Sequence, residues 1–213
     1  DSDGAALEDS LVVEELLRQG KRIEGAREGG TSGCVETGAF GREAYILTGY
    51  FNLPKVLEIT LNDGIDPATG CVIGLRTGAP GSFASFDDLM GAFDRQLRHF
   101  FDIKILGNRI IERLYATSMP APFLSLVIDG CIARGMDYNA GGARYNTTYI
   151  MPVGIGTVTD ALSAIRHHVF ERHDVAMPAL LEALARDFAG DEVLRQRLWN
   201  KTPRYGNDDP AAD

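Results

Sequence analysis

Apolar positions recur at helical spacing along most of the chain. Leu11, Val12, Leu16 and Leu17 form one stripe that Gly20 stops, and a second short turn follows at Ile23 to Ala26. The pattern then lapses over residues 29–41. Ala44 to Gly49 continues as an apolar run, and Phe51 to Asn62 predicts a helix with Pro54 in its first turn and Gly64 as its C-cap. Residues 64–81 carry Asp66-Pro67, Gly70, Gly74, Gly78 and Pro80, so they predict a turn-rich surface connection with one short strand candidate, Cys71 to Leu75. Ser85 with Asp88 has the form of a capping box. The longest helix follows it, with Phe86, Leu89, Met90, Phe93, Leu97, Phe100 and Phe101 on one stripe that Ile105, Ile110, Ile111 and Leu114 extend to Met119-Pro120.

Phe123 to Ala133 is apolar on most faces and predicts a buried helix. Tyr145 to Val153 mixes aromatic, β-branched and polar residues and is the best strand candidate. Gly154-Ile155-Gly156 leads from it into a helix that Thr157 and Asp160 would cap. Met177-Pro178 opens another helix running toward Phe188 and stopped by Gly190; Asp191 to Trp199 is the last, with Trp199 as a core anchor. The reading is an α/β chain, mostly helical, around a glycine-rich loop.

At 213 residues and 45% hydrophobic, the chain can bury one sizeable core. Its formal charge of −9 opposes nucleic acid and anionic membrane surfaces as partners. No apolar run reaches the roughly 18 residues of a membrane span and no signal-peptide pattern opens the chain, so a cytoplasmic protein is expected. Cys34, Cys71 and Cys131 are widely spaced without a Cys-x-x-Cys, which suggests neither a disulfide framework nor a zinc site. His167, His168 and His173 lack the i, i+4 spacing that stacks two imidazoles on one metal. The strand–glycine–helix passage at Gly154 has Thr159 where a dinucleotide motif needs its third glycine, and Asp160 next to it puts a negative charge beside a pyrophosphate, so nucleotide binding is rejected.

The lapse at Gly29 to Gly41 reads GGTSGCVETGAFG, five glycines in thirteen positions. That much glycine points to a backbone threaded through a tight space. Cys34 and Glu36 stand two apart in it. In an extended segment they would point to the same side, with Cα atoms about 6.5 Å apart. Glu36 could act as base toward a Cys34 thiolate nucleophile, although such a thiol ordinarily relies on a histidine. Alternatively the sulfur removes a hydrogen atom from carbon while the carboxylate moves the accompanying proton. A buried cysteine beside a surface glutamate is the third reading of so short a motif.

The longer string, GGTSGCVETGAFGREAYILTGYFNLPKVLEITLNDGIDP, resembles the cysteine-loop region of glycyl radical enzymes of the pyruvate formate-lyase superfamily, and the likeness runs from about Glu14 to Asp213. Pyruvate formate-lyase itself has two adjacent cysteines at this loop; Gly33 precedes Cys34 here, which disfavours that activity. The G-C-V-E form resembles the dehydratase and C–X lyase branch. With GGARYNT, residues 141–147, the wording is most similar to the members that dehydrate trans-4-hydroxy-L-proline, with isethionate sulfite-lyases and diol or glycerol dehydratases as competitors.

The resemblance implies a closed α/β barrel with the cysteine loop along its axis, these 213 residues being part of a single catalytic domain. It implies Cys34 as the thiyl radical carrier and Glu36 as the acid–base group, with Tyr50, Thr37 and Phe40 lining the substrate pocket. Tyr50 and Phe40 read equally well as packing aromatics. Arg144 could recognise a substrate carboxylate, but an internal salt bridge is the plainer expectation. No metal or organic cofactor is implied in this chain. The radical is stored on a glycine in a carboxy-terminal R-V-x-G-[FY]-like loop, and no such string occurs here. A radical S-adenosylmethionine activase with an iron–sulfur cluster and a homodimeric assembly are implied for the intact enzyme. With no initiator Met, the chain reads as an internal piece of a longer protein, inert by itself. A competing expectation is a non-catalytic segment that only binds a partner barrel.

Overall fold

The computed structural model describes residues 11–32, 36–210 and 212, with the backbone alone at Leu47, Thr48 and Pro80. In chain order they form α1 (described over 11–18), α2 (Ile23–Arg27), β1 (Gly30–Thr31), β2 (Thr37–Gly38), β3 (Glu43–Asn52), α3 (Leu53–Leu61), α4 (Phe86–Ser118), α5 (Pro122–Val127), α6 (Cys131–Arg134), β4 (Tyr145–Val153), α7 (Ile155–Ile165), α8 (Met177–Ala185) and α9 (Glu192–Lys201). A π-helical turn, Arg166–Glu171, prolongs α7. The mixture of helices and two small sheets is the expected α/β class. No helix among the described residues is long and apolar enough to cross a membrane.

Two compact units divide the chain, Asp1–Gly49 with Ile105–Met151 and Tyr50–Lys104 with Pro152–Asp213. In the first, the glycine-rich stretch folds into a short antiparallel hairpin, β1 against β2, pairing Gly30 with Gly38 and Thr31 with Thr37. Beside it β3 pairs with β4. Glu43 meets Thr147 and Tyr45 stacks on Tyr149, so the contacts advance in the same sense along both strands, as in a parallel pair. Strand alternation gives β3 two faces. Ala44 and Ile46 pack with Cys131, Tyr138 and Ala143 in an apolar cluster, while Glu43 and Tyr45 turn the other way toward the hairpin.

In the second unit, α3 begins at Leu53 because the Asn52 side chain accepts the Lys55 N–H at 3.1 Å and caps it; Phe51 and Asn52 finish β3 instead of opening the helix. The capping box of α4 is reciprocal: Asp88 N–H donates to Ser85 Oγ at 3.1 Å and Ser85 N–H to Asp88 Oδ2 at 3.0 Å. The first turns of α4 bury Leu89, Ala92, Phe93 and Gln96. Gln96 bonds both backbone groups of Leu75, which fixes the long connection where only an isolated bridge, Ile65 to Val72, replaces the expected strand.

Three further expectations change. The buried helix over 123–133 is two short helices broken at Gly130, whose φ of 101° no other residue adopts easily, and Phe123 stands 85% exposed. The helix after β4 begins at Ile155, two residues before Thr157; Asp160 accepts the Tyr205 N–H instead of completing a capping box. Helix α8 ends at Ala185, short of Phe188, and Trp199 is 60% exposed with the Arg204 guanidinium over its ring, no core anchor.

Candidate active site

Residues 33–35, and with them Cys34, lie outside the described residues, and so does the expected shared orientation of Cys34 and Glu36. Ser32 N–H donates to the Glu36 carbonyl at 2.8 Å and Ser32 Oγ–H to the Glu36 carboxylate at 2.7 Å. A hydroxyl thus orients the half-buried carboxylate. Thr37 follows in β2. Phe40 lies with its ring against Gly30, where a Cβ would come within 2.7 Å of it, and is 49% exposed. Tyr50, at the far end of β3, belongs to the other compact unit and is 65% exposed, so it is not the core aromatic that one reading made it. The structure therefore brings Glu36, Thr37 and Phe40 together on one hairpin. Arg144 pairs with Asp129 at 3.5 Å, the salt bridge its sequence context favoured.

The glycines here answer to space. A Cβ on Gly38 would lie 2.1 Å from Tyr45 Oη and 2.6 Å from Glu43 Oε2, and one on Gly29 would strike Leu16 and the Gly38 carbonyl. The hairpin backbone is pressed onto its support.

That support is a buried polar group that sequence reasoning missed. Glu43 is fully buried and pairs with the equally buried Lys21 at 3.0 Å. Its carboxylate also accepts the Ala39 N–H at 2.8 Å and the Thr147 hydroxyl. Tyr149 Oη–H donates to the Thr37 carbonyl at 3.0 Å, with Glu43 at 3.5 Å. Tyr45 and Tyr149 stack with ring centroids 5.7 Å apart, and the Tyr45 hydroxyl is buried with no hydrogen-bond partner among the described residues. Burial first, and then the Glu43 charge, push the Tyr45 hydroxyl up to about 12 and that of Tyr149 still higher; Glu36 adds to both. These phenols stay protonated donors at any working pH. The available signal was Glu43 itself, a charge opening an otherwise apolar strand. Among the described residues no group of three or more His, Cys, Asp or Glu is placed to hold a metal.

A glycine-rich hairpin with no room for a Cβ at Gly29 or Gly38 thus carries the Glu36 carboxylate and is seated on a buried ion pair. The chain belongs to the pyruvate formate lyase-like family, whose model matches residues 5–213. It is 54% identical over 202 residues to trans-4-hydroxy-L-proline dehydratase of Clostridioides difficile, covering 95% of this chain and 26% of that protein. It is 33% identical over 211 residues to the probable dehydratase YbiW of Escherichia coli, covering 96% of this chain and 26% of that one. The crystal structure of hydroxyproline dehydratase from Clostridioides difficile, with trans-4-hydroxy-L-proline bound, superposes with a TM-score of 0.91 at 53% identity, over 96% of this chain and 26% of that chain. The chain thus spans about a quarter, 26%, of the length of these relatives.

Proposed function

We propose that the protein is a glycyl radical dehydratase that eliminates water from trans-4-hydroxy-L-proline, and that residues 1–213 are part of its single catalytic domain, an α/β barrel. The identity of 54% over 202 residues to the Clostridioides difficile enzyme carries this reading. The isethionate sulfite-lyase of Oleidesulfovibrio alaskensis and the glycerol dehydratase of Clostridium butyricum are similar at a lower identity, 31% each.

Cys34 is the hydrogen-abstracting sulfur and Glu36 the acid–base group. A glycine-centred radical outside these residues, installed by a radical S-adenosylmethionine activase, supplies the one-electron oxidation of the thiol. The sulfur then takes a hydrogen atom from a substrate carbon, forming S–H and a carbon radical. The neighbouring C–O bond breaks as the hydroxyl accepts a proton from Glu36 and departs as water. The carboxylate recovers a proton from the substrate, and the S–H returns its hydrogen atom, so the sum is loss of one water. A carboxylate held by a Ser32 hydroxyl beside the cysteine turn is suited to this proton traffic. Thr37, Phe40 and Tyr50 line the substrate pocket, and a barrel interior keeps the radical from water. The intact enzyme is a cytoplasmic homodimer.

The test is an anaerobic assay of the full-length, activated protein with hydroxyproline, glycerol and isethionate in parallel. Turnover of hydroxyproline alone, abolished by Cys34→Ser, is expected. Turnover by the Cys34→Ser protein, or turnover of glycerol or isethionate in place of hydroxyproline, overturns the reading.

A further inference from the structure

The β1–β2 ladder has only two residue pairs, too few to hold a catalytic turn in place unaided. Its second strand is instead fixed from below at three successive residues. Tyr149 donates to the Thr37 carbonyl at 3.0 Å, Gly38 lies flat on Tyr45 and Glu43 with no space for a Cβ, and Ala39 N–H donates to Glu43 at 2.8 Å. Glu43 is itself pinned by Lys21 and Thr147, and the Tyr149 ring by its stack on Tyr45. Glu36 is the residue immediately before this clamp.

We propose that Tyr149 and Glu43 are positioning residues, which set the height of the strand that follows Glu36 and so align the carboxylate for proton transfer. The proposal rests on the dehydratase reading above and adds the device that holds its acid–base group. Two features favour positioning over plain stability. A buried ion pair stabilises a fold little better than apolar residues of the same volume, so this one is a costly way to fill space. And the clamp grips backbone atoms next to a reacting group, where a displacement of about 1 Å costs on the order of 100-fold in rate.

The experiment uses the full-length, activated enzyme with Tyr149→Phe, which removes one hydroxyl and keeps the ring. The expected result is a kcat lowered by about 10- to 100-fold. KM for hydroxyproline, the glycyl radical content by electron paramagnetic resonance and the melting temperature all stay near wild type. Because proton transfer to the leaving hydroxyl becomes the slow event, the solvent isotope effect on kcat grows. Glu43→Gln keeps an acceptor for Ala39 but leaves the buried Lys21 charge unpaired, so it lowers the melting temperature as well as kcat. Wild-type kcat in Tyr149→Phe overturns the proposal, as does a loss traced wholly to radical content or to the melting temperature. Cys34→Ser, run beside it, separates the failures. If Cys34→Ser is inactive and Tyr149→Phe is not impaired, the positioning proposal alone falls; if Cys34→Ser is active, the dehydratase reading falls and takes the positioning with it.

Discussion

Lys21 and Glu43 meet at 3.0 Å with both side chains out of solvent, an ion pair joining the connection between α1 and α2 to the first residue of β3. Removing one partner strands the other's charge, so Lys21→Met should destabilise the protein by about 3–5 kcal/mol. Lys21→Met combined with Glu43→Gln should cost less than Lys21→Met alone. Chemical denaturation of the single and double variants checks both statements, and additive losses would show that the pair is not coupled.

Gly38→Ala forces a methyl group into the space of Tyr45 and Glu43. Overpacking of this kind costs about 1–3 kcal/mol, and here it should also lift the hairpin and lower turnover. Gly107, inside α4 with open space where a methyl group would stand, gives the opposite sign. Gly107→Ala should stabilise by up to about 1 kcal/mol. Melting temperatures of the two variants should move in opposite directions.

The reciprocal bonds between Ser85 and Asp88 predict a loss of about 1 kcal/mol for Ser85→Ala. Asp88→Ala should behave alike. Ser85→Asp, which keeps an acceptor at the cap, should retain most of the stability in the same thermal scan.

Tyr45 ionises at about 12, above the ordinary tyrosine value of 10.0, because burial and Glu43 disfavour the phenolate. A group whose folded value is raised contributes stability that is complete below its unfolded value and is lost as pH climbs through the folded one. Between pH 10 and 12 the unfolded chain therefore gives up this proton first, and stability should fall across that window. Tyrosinate absorbance followed against pH should show a late-titrating class, and Tyr45→Phe should remove part of it while flattening the alkaline loss of stability.

Where a pattern is local, the sequence spoke clearly. Strand β4 keeps its expected bounds, Tyr145 to Val153, and α4 starts at the Ser85–Asp88 box. Asn52 misled because an apolar Phe51 continued the helical stripe, although Asn-Leu-Pro is itself a start signal. The break at Gly130 depends on a positive φ that composition does not disclose. That Glu36, Thr37 and Phe40 stand close together was legible from one contiguous string. Lys21, Thr147 and Tyr149 were not, since only the folded chain brings them under the hairpin.

The partners that seat the hairpin come very late in the chain. Thr147 follows Glu43 by 104 positions and Tyr149 follows Thr37 by 112. A ribosome has released the hairpin long before the strand that clamps it exists, and closing so long a loop is among the slower steps of folding. The seat of Glu36 is thus completed only after the helices between these strands have been made.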